Sequence, residues 1–234
     1  MCAVTQHRGP DGSGTELRNN SSVCLAHVRL SIIDIQTGQQ PLTSADSSAS
    51  IVFNGELYDY AQHRADLISK GHKFLTQSDT EVLLNLYLEY GVESFSRLNG
   101  EFAFVIWDER FKRLIAVRDR FGVKPLFYFQ NSEEIILSSE VKGIFSLPRV
   151  PRSFEPDYFV GPLFGAYTQD SHVFKNIQNL LPGHWMSVEN GVVNSPQPYW
   201  TPSFHTQGSM THEEARQGVR ERFGLPVGEV QPEA

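Results

Sequence analysis

Asn54, Gly55 and Glu56 directly follow a short apolar run, Ser50–Phe53, and chemistry is often placed at such element edges. An Asn side-chain amide beside a Gly N–H can form an oxyanion hole, and Gly lets a substrate approach the backbone closely. The same Asn-Gly pair is typical of a type I′ hairpin turn, which residue type alone favours. Both interpretations stay open at this point.

Two charged residues can hold the charged groups of a small substrate. Arg29 ends an apolar run, and a guanidinium can bind a carboxylate through two parallel hydrogen bonds. The alternative is a structural ion pair, for example with Asp34. Asp79 lies in the first turn of a predicted helix, where it either complements the helix dipole or binds an ammonium group.

Two further polar clusters are HRGPDG at 7–12 and RDRFGVKPL at 118–126. The first is a turn rich in donors and acceptors, and a surface loop is its simplest interpretation. The second links two predicted strands, and a structural ion-pair network is favoured there. The sequence contains no CxxC, HExxH or GxxxxGK[ST] motif, so neither a zinc site nor a phosphate-binding loop is indicated.

The elements that must position these residues follow from hydrophobic periodicity. A capping box formed by Ser78 and Glu81 begins the clearest helix. A period of two then predicts an antiparallel meander. The predicted helices are Asp59–Lys70 and Ser78–Tyr90, and the predicted strands are Val23–Arg29, Ser50–Phe53, Phe102–Trp107, Leu114–Arg118, Leu126–Phe129 and Ile135–Ser138. Strands, two helices and more strands indicate helices layered on antiparallel sheets, an α+β fold.

The last third of the chain is less regular. Short strands are expected within 173–185 and 191–200, followed by a linker at 201–210. A second capping box begins a helix over Thr211–Phe223. We therefore expect one domain over residues 1–200, and a linker with the start of a further domain over 201–234.

Composition narrows the class of protein. The 234 residues are 40% hydrophobic and carry a net charge of −7, which allows a real core. No basic run indicates nucleic acid or an anionic membrane surface as a partner. The N-terminus lacks the apolar stretch of a signal peptide, and no run approaches a membrane span, so a cytoplasmic location is expected. A homo-oligomer stays open.

Taken in order, the motifs resemble one family. They are HRGPDG at 7–12, LAHVRLSIID at 25–34, FNGELYDY at 53–60, SDTE at 78–81, LNGEFAFVIWD at 98–108, RDRFGVKPLFY at 118–128, SSEVK at 138–142, LPGHW at 181–185 and PYW at 198–200. Together they resemble the class II glutamine amidotransferase domain of glutamine-dependent asparagine synthetases. HRGPDG is more typical of asparagine synthetases than of other class II amidotransferases.

The resemblance implies a four-layer α-β-β-α fold of the N-terminal nucleophile hydrolase type. It implies that a cysteine, made N-terminal by removal of Met1, attacks the side-chain amide of L-glutamine, with its α-amino group as the base. Ammonia then passes to a second domain that uses ATP and Mg. By position, Arg29 would hold the glutamine α-carboxylate, Asn54 and Gly55 would form the oxyanion hole, and Glu56 and Asp79 would bind the α-amino group. No cofactor or metal is expected in this chain.

Two departures from the family affect these expectations. The family places a strand and a helix between its nucleophile and HRGPDG, whereas Ala3–Gln6 alone separate Cys2 from His7. Extended, four residues reach about 13 Å. Met1–Gln6 is thus expected to match the end of the family's first helix, with the first strand and helix missing, which makes Cys2 a doubtful nucleophile. An SGGxDS loop for ATP is also absent from the sequence. Because the nucleophile is in doubt, two hypotheses stay open: a domain that hydrolyses glutamine, and a remnant that binds glutamine without catalysis.

Overall fold

The computed structural model describes residues 1–31, 34, 37–156, 158, 172–203 and 211–224. The chain divides into two compact units, Met1–Trp200 and Thr201–Ala234. Within these ranges the α-helices are α1 (Cys2–Thr5), α2 (Tyr60–Ser69), α3 (Asp79–Tyr90), α4 (Val141–Phe145) and, in the second unit, α5 (His212–Gly224), and 3-10 helices cover Gln6–Arg8 and Gly91–Arg97. The strands are β1 (Gly12–Arg18), β2 (Val23–Arg29), β3 (Leu42–Thr43), β4 (Ala49–Leu57), β5 (Gly100–Asp108), β6 (Arg113–Arg118), β7 (Phe127–Gln130), β8 (Ile135–Ser138), β9 (Ile177–Asn179), β10 (His184–Glu189), β11 (Val192–Val193) and β12 (Gln197–Pro198).

The large sheet is antiparallel and runs in the order β11-β10-β6-β5-β4-β3, with β12 also paired to β10. In its central strand, β5, successive side chains point to opposite faces of the sheet, and the residues from Phe102 to Asp108 are all buried, so both faces of β5 are covered. On one face Phe102, Phe104 and Ile106 pack with residues of α3 such as Leu83. This face forms the larger core of the first unit.

The opposite face of β5 packs against a second layer of strands. Ala103 and Trp107 pack there with Leu25 of β2 and Tyr128 of β7. Farther out, Ile144 of α4 packs on the two antiparallel pairs that β7 makes with β8 and β9. The order of layers is helix, sheet, sheet, helix, which confirms the predicted α-β-β-α architecture.

The second strand layer consists of two separate sheets, β1-β2 and β8-β7-β9, in the described part of the chain. Between them lies a cavity of about 1180 Å³, lined by Val23–Val28 along β2 and by Ile135–Ser138 along β8. Cys2 of α1 and Asn54 of β4 also line it. Strands β2 and β8, one from each of the two sheets, therefore line the same cavity.

Two sequence predictions were wrong in detail. The meander is divided between sheets, because β5 and β6 belong to the large sheet while β7 and β8 belong to the second layer. The Asn54-Gly55 pair is not a hairpin turn, because β4 pairs residue by residue with β5 from Ala49 to Leu57. Long-range pairing thus overrides the local turn preference.

The capping box at α3 is confirmed in one half. The Ser78 hydroxyl accepts the Glu81 N–H at 3.3 Å. The Glu81 carboxylate accepts the N–H groups of Leu75 and Thr76, both at 2.7 Å, rather than that of Ser78. The second capping box, in which Thr211 and Glu214 bond reciprocally, is confirmed.

None of the helices within the described ranges is both long enough and apolar enough to span a membrane.

Candidate functional site

The free edge of β4 is the feature around which the site is built. Strand β3 covers only Ser50 and Ile51 of β4. In an antiparallel strand the N–H groups of alternate residues point to the same side. The Phe53 N–H is bound by the side-chain oxygen of Gln40 at 2.6 Å, and the Leu57 N–H by Asp79 Oδ2 at 3.2 Å. Side chains thus replace a strand on both sides of Gly55.

Gly55 presents its own N–H to the same edge. Its register partner on β5 is Phe102, and both backbone groups of Phe102 bind Asp119 instead, at 3.2 and 2.8 Å. The Gly55 N–H therefore points away from β5, as those of residues 53 and 57 do. Gly55 has φ of 153°, and a Cβ there would lie 2.0 Å from the Glu101 carbonyl oxygen, so only glycine fits.

Asn54 supplies a second donor beside Gly55. Its side chain lines the cavity, and its Nδ2 is buried with no hydrogen-bond partner in the described structure. A buried amide group left unpaired is costly, and such groups in native structures call for an explanation. A ligand oxygen between Asn54 Nδ2 and the Gly55 N–H would satisfy both donors, as an oxyanion hole does.

Asp79 is a buried carboxylate at the start of α3, with 5% of its surface exposed. It accepts the N–H groups of Leu57 and Thr80, yet burial raises its pKa to about 6, and the nearby negative charge of Glu56 adds to the rise. No salt bridge to Asp79 occurs among the residues that the structure describes. The arrangement favours a ligand that brings a positive charge.

Arg29 ends β2 close to this edge and is 6% exposed. Its guanidinium donates to the backbone carbonyl of Asp34. The Asp34 carboxylate in turn accepts the Gln77 N–H at 2.8 Å, two residues before Asp79. Arg29 and the start of α3 are therefore joined through one intermediate residue. The alternative of a side-chain ion pair between Arg29 and Asp34 is not the contact seen.

With this geometry in place, comparison with known families gives a clear result. A family model described as "Glutamine amidotransferase domain" matches residues 1–200. The chain belongs to the glutamine amidotransferase family.

Among curated proteins, this amidotransferase chain is 38% identical to "Asparagine synthetase [glutamine-hydrolyzing] 2" of Bacillus subtilis, over 80% of this chain and 25% of that protein. It is 37% identical to "Amidase chry2" of Gibberella zeae, over 93% of this chain and 32% of that protein. The chain thus spans a quarter to a third of the length of these relatives.

Among solved structures, the chain matches glutamine phosphoribosylpyrophosphate (PRPP) amidotransferase from B. subtilis with a TM-score of 0.52 and 23% identity, over 76% of this chain and 35% of that one. This likeness supports the fold alone.

Cys2 lies on a helix and not on a strand of the large sheet. Cys2 begins the four-residue helix α1, is half-buried and has a free thiol. It lines the same cavity as Asn54, whereas Arg29, Gly55, Glu56 and Asp79 are not part of that wall. The predicted convergence of Arg29, Asn54, Glu56 and Asp79 on one glutamine pocket remains a prediction.

The two other polar clusters hold the amidotransferase fold together. His7 and Arg8 each contact the Glu140 carboxylate at 3.0 Å, which fixes the loop at 7–12 against α4. In the second cluster, Arg118 donates to three backbone carbonyls, and Lys124 pairs with Glu101 at 2.7 Å. The structural interpretation of residues 118–126 is supported, with backbone groups as the main partners.

Sequence reasoning missed Gln40 and His27. Both bind the backbone of Phe53, next to Asn54. His27 lies within the LAHVR motif and Gln40 within a loop that has no periodicity, so only the folded chain shows what they contact. Glu101, opposite Glu56 on β5, was also not singled out.

Proposed function

We propose that this domain binds L-glutamine along the free edge of β4 and presents its side-chain amide to Asn54 and Gly55 for hydrolysis. The Gly55 N–H, which points to the open edge between two amides already bound by side chains, carries the proposal. Arg29 would bind the α-carboxylate, because a buried guanidinium favours a bidentate anion. Asp79 and Glu56 would bind the α-ammonium group. Its positive charge would stabilise the ionised form of Asp79, which burial disfavours.

The chemistry in this proposal is transfer of an acyl group to a thiol. A thiolate attacks the side-chain carbonyl carbon, and negative charge develops on the oxygen between the two donors. The C–N bond then breaks, the leaving nitrogen takes a proton, and ammonia departs. Water cleaves the thioester to give glutamate. Cys2 is the candidate nucleophile, with its own α-amino group as base after removal of Met1.

The use of ammonia belongs to the same proposal. The resemblance to asparagine synthetases implies aspartate as the acceptor, activated by ATP with Mg in a second domain, and we include this in the proposal. Since this chain covers 25% of that relative, asparagine formation is proposed for a protein that includes such a domain. The 234-residue chain is expected to handle glutamine only.

A second candidate function is glutamine binding without turnover. It is favoured by the position of Cys2 on α1, which places the thiol on a short helix rather than on a strand beside Asn54. Misplacement by about 1 Å can lower a rate ~100-fold. This second function predicts little or no ammonia release from the chain, with glutamine binding retained.

One experiment separates the two functions. Ammonia release from glutamine and glutamine binding by calorimetry are measured on protein whose loss of Met1 is confirmed by mass, alongside Cys2→Ala. Cys24→Ala is the matched control, because Cys24 is a second thiol that lines the same cavity. Turnover lost in Cys2→Ala and kept in Cys24→Ala assigns the nucleophile. Binding without turnover in all three proteins supports the second function, and absence of binding contradicts both.

A further inference from the structure

Phe53, immediately before the oxyanion donors, has both backbone groups held by side chains. Strand β5 pairs with Phe53 on one side, but β3 reaches only Ile51 on the other, so within the described residues no strand covers that edge of β4 at Phe53. The Phe53 N–H donates to Gln40 Oε1 at 2.6 Å, and the Phe53 carbonyl is 3.1 Å from His27 Nε2. The two side chains come from different segments, His27 from β2 and Gln40 from the loop before β3.

The His27 bond has a defined direction. A carbonyl oxygen can only accept, so Nε2 must carry the proton. Burial lowers the pKa of His27 to about 4, the bond to Phe53 opposes this, and the charge of Arg29 lowers it further. The ring is therefore neutral at pH 7 and donates through Nε2. His27 sits two residues before Arg29 on the same strand, so this bond fixes the strand of the carboxylate-binding residue against β4.

Gln40 reaches a third element. Its Nε2 donates to Thr80 Oγ1 at 3.3 Å, and Thr80 is adjacent to Asp79 in α3. One amide side chain therefore connects the strand that carries Asn54 and Gly55 with the helix that carries Asp79. Asp79 also binds this strand directly, because its Oδ2 accepts the Leu57 N–H at 3.2 Å. The β4 edge is held on both sides of Gly55, at residues 53 and 57.

We propose that Gln40 and His27 are positioning residues that set the oxyanion donors relative to the groups that bind the α-carboxylate and α-ammonium ends of glutamine. They act on Phe53 and do not touch the substrate. The inference rests on the proposed function. Their loss lets the β4 edge shift, and a displacement of about 1 Å at reacting groups lowers a rate ~100-fold.

The test compares two ligands with the same α-groups. L-Glutamine has a side-chain amide, whereas L-norvaline has an unbranched apolar side chain that offers nothing to the oxyanion donors. Calorimetry on Gln40→Met should show glutamine affinity lowered about tenfold, the value of one good hydrogen bond. Norvaline affinity should change less than twofold, because Arg29 and Asp79 are intact.

Three further variants sharpen the comparison. Gln40→Glu keeps an oxygen that accepts the Phe53 N–H, and its added charge acts equally on both ligands, so the glutamine-to-norvaline ratio should stay at the wild-type value. Thr80→Val removes only the hydrogen bond that Gln40 Nε2 donates to Thr80, so it should lower that ratio by less than Gln40→Met does. His27→Phe removes the other bond to Phe53 and should also lower it. Equal losses for the two ligands, or an unchanged ratio in Gln40→Met, would overturn the inference.

Amide hydrogen exchange provides a readout that needs no ligand. The Phe53 amide should be protected in wild type and in Gln40→Glu, and should exchange at least tenfold faster in Gln40→Met, with the Gly55 amide resonance shifted only in the latter. Equal exchange in wild type and Gln40→Met refutes the role of Gln40. If wild type binds neither ligand, the proposed function fails while this exchange result still decides the positioning.

Discussion

Asp108 and Asp79 are both buried carboxylates next to the large sheet, and their surroundings differ. Asp108 is fully buried and receives two bonds from the Arg110 guanidinium, at 3.0 and 2.7 Å, and one from the Tyr87 hydroxyl at 2.7 Å. Burial alone would raise the pKa of Asp108, but the Arg110 and Tyr87 bonds outweigh it and lower that pKa. Asp79 has only backbone amides, and its pKa rises to about 6.

Asp119 is a third case, at the opposite end of β5 from Asp108. It is 1% exposed. It accepts the backbone N–H groups of Phe102, Phe121, Val123 and Lys124. Such a carboxylate fixes a turn. Among the described residues, Asp79 has neither a cationic partner, as Asp108 has, nor four backbone donors, as Asp119 has, which supports the proposal that it binds a ligand.

The largest effect is expected at Asp108. Asp108→Ala leaves the Tyr87 hydroxyl and the Arg110 guanidinium without their buried partner, which should lower the free energy of unfolding by about 3–5 kcal/mol. Urea unfolding at pH 7.5 measures this. Glu133→Ala in an exposed loop serves as control and should change stability by less than ~0.5 kcal/mol. A loss at Asp108 no larger than in the control would remove the contrast with Asp79.

Asp79→Asn should raise the free energy of unfolding, whereas Asp108→Ala should lower it. Because the folded-state pKa of Asp79 is raised from 3.8 to about 6, ionisation costs folding stability. The cost is absent below the unfolded pKa, grows between the two values, and is complete above about pH 6. At roughly 1.4 kcal/mol for each of about two units, Asn should stabilise the ligand-free protein by about 3 kcal/mol at pH 7.5.

The pH course of the Asp79→Asn effect is the check. Unfolding free energies of variant and wild type should converge as the pH falls from 6 toward 4. A variant less stable than wild type at pH 7.5 would mean that Asp79, like Asp108, serves the fold.

The smallest effect is expected for an exposed carboxylate. Glu134 makes two bonds of 2.7 Å to Arg149, whose side chain is 58% exposed. Surface pairs contribute little, so Glu134→Ala should change stability by less than ~1 kcal/mol, and 1 M salt should remove the difference. A salt-independent loss comparable with that of Asp108→Ala would show that exposure does not separate these groups.

The sequence predicted the strands and helices whose periodicity is strong. Strand β2 was predicted with its observed bounds, Val23–Arg29, and α3 to within one residue. The extension of β4 through Asn54-Gly55 was not predicted, because its pairing partner, β5, lies some forty residues farther along the chain and local residue types favour a turn.

The candidate site shows a similar division. Arg29, Asn54, Gly55, Glu56 and Asp79 were identified by resemblance of motifs. The sequence does not show that Asp79 and Asp119 lie in different surroundings, since both are acidic residues beside turns. Only the folded chain shows how many hydrogen-bond donors each carboxylate receives. Gln40 and His27 act through the backbone of a distant residue, a contact that leaves no periodic pattern in the sequence.

The central claim is that Asp79 is half of an ion pair that the ammonium group of glutamine completes. Calorimetry of glutamine binding at pH 6, in buffers with different ionisation enthalpies, measures it most directly. At this pH Asp79 is about half protonated. Binding should therefore release about half a proton per glutamine, and Asp79→Asn should release none. A binding enthalpy independent of buffer in wild type, or proton release that persists in Asp79→Asn, would contradict the account.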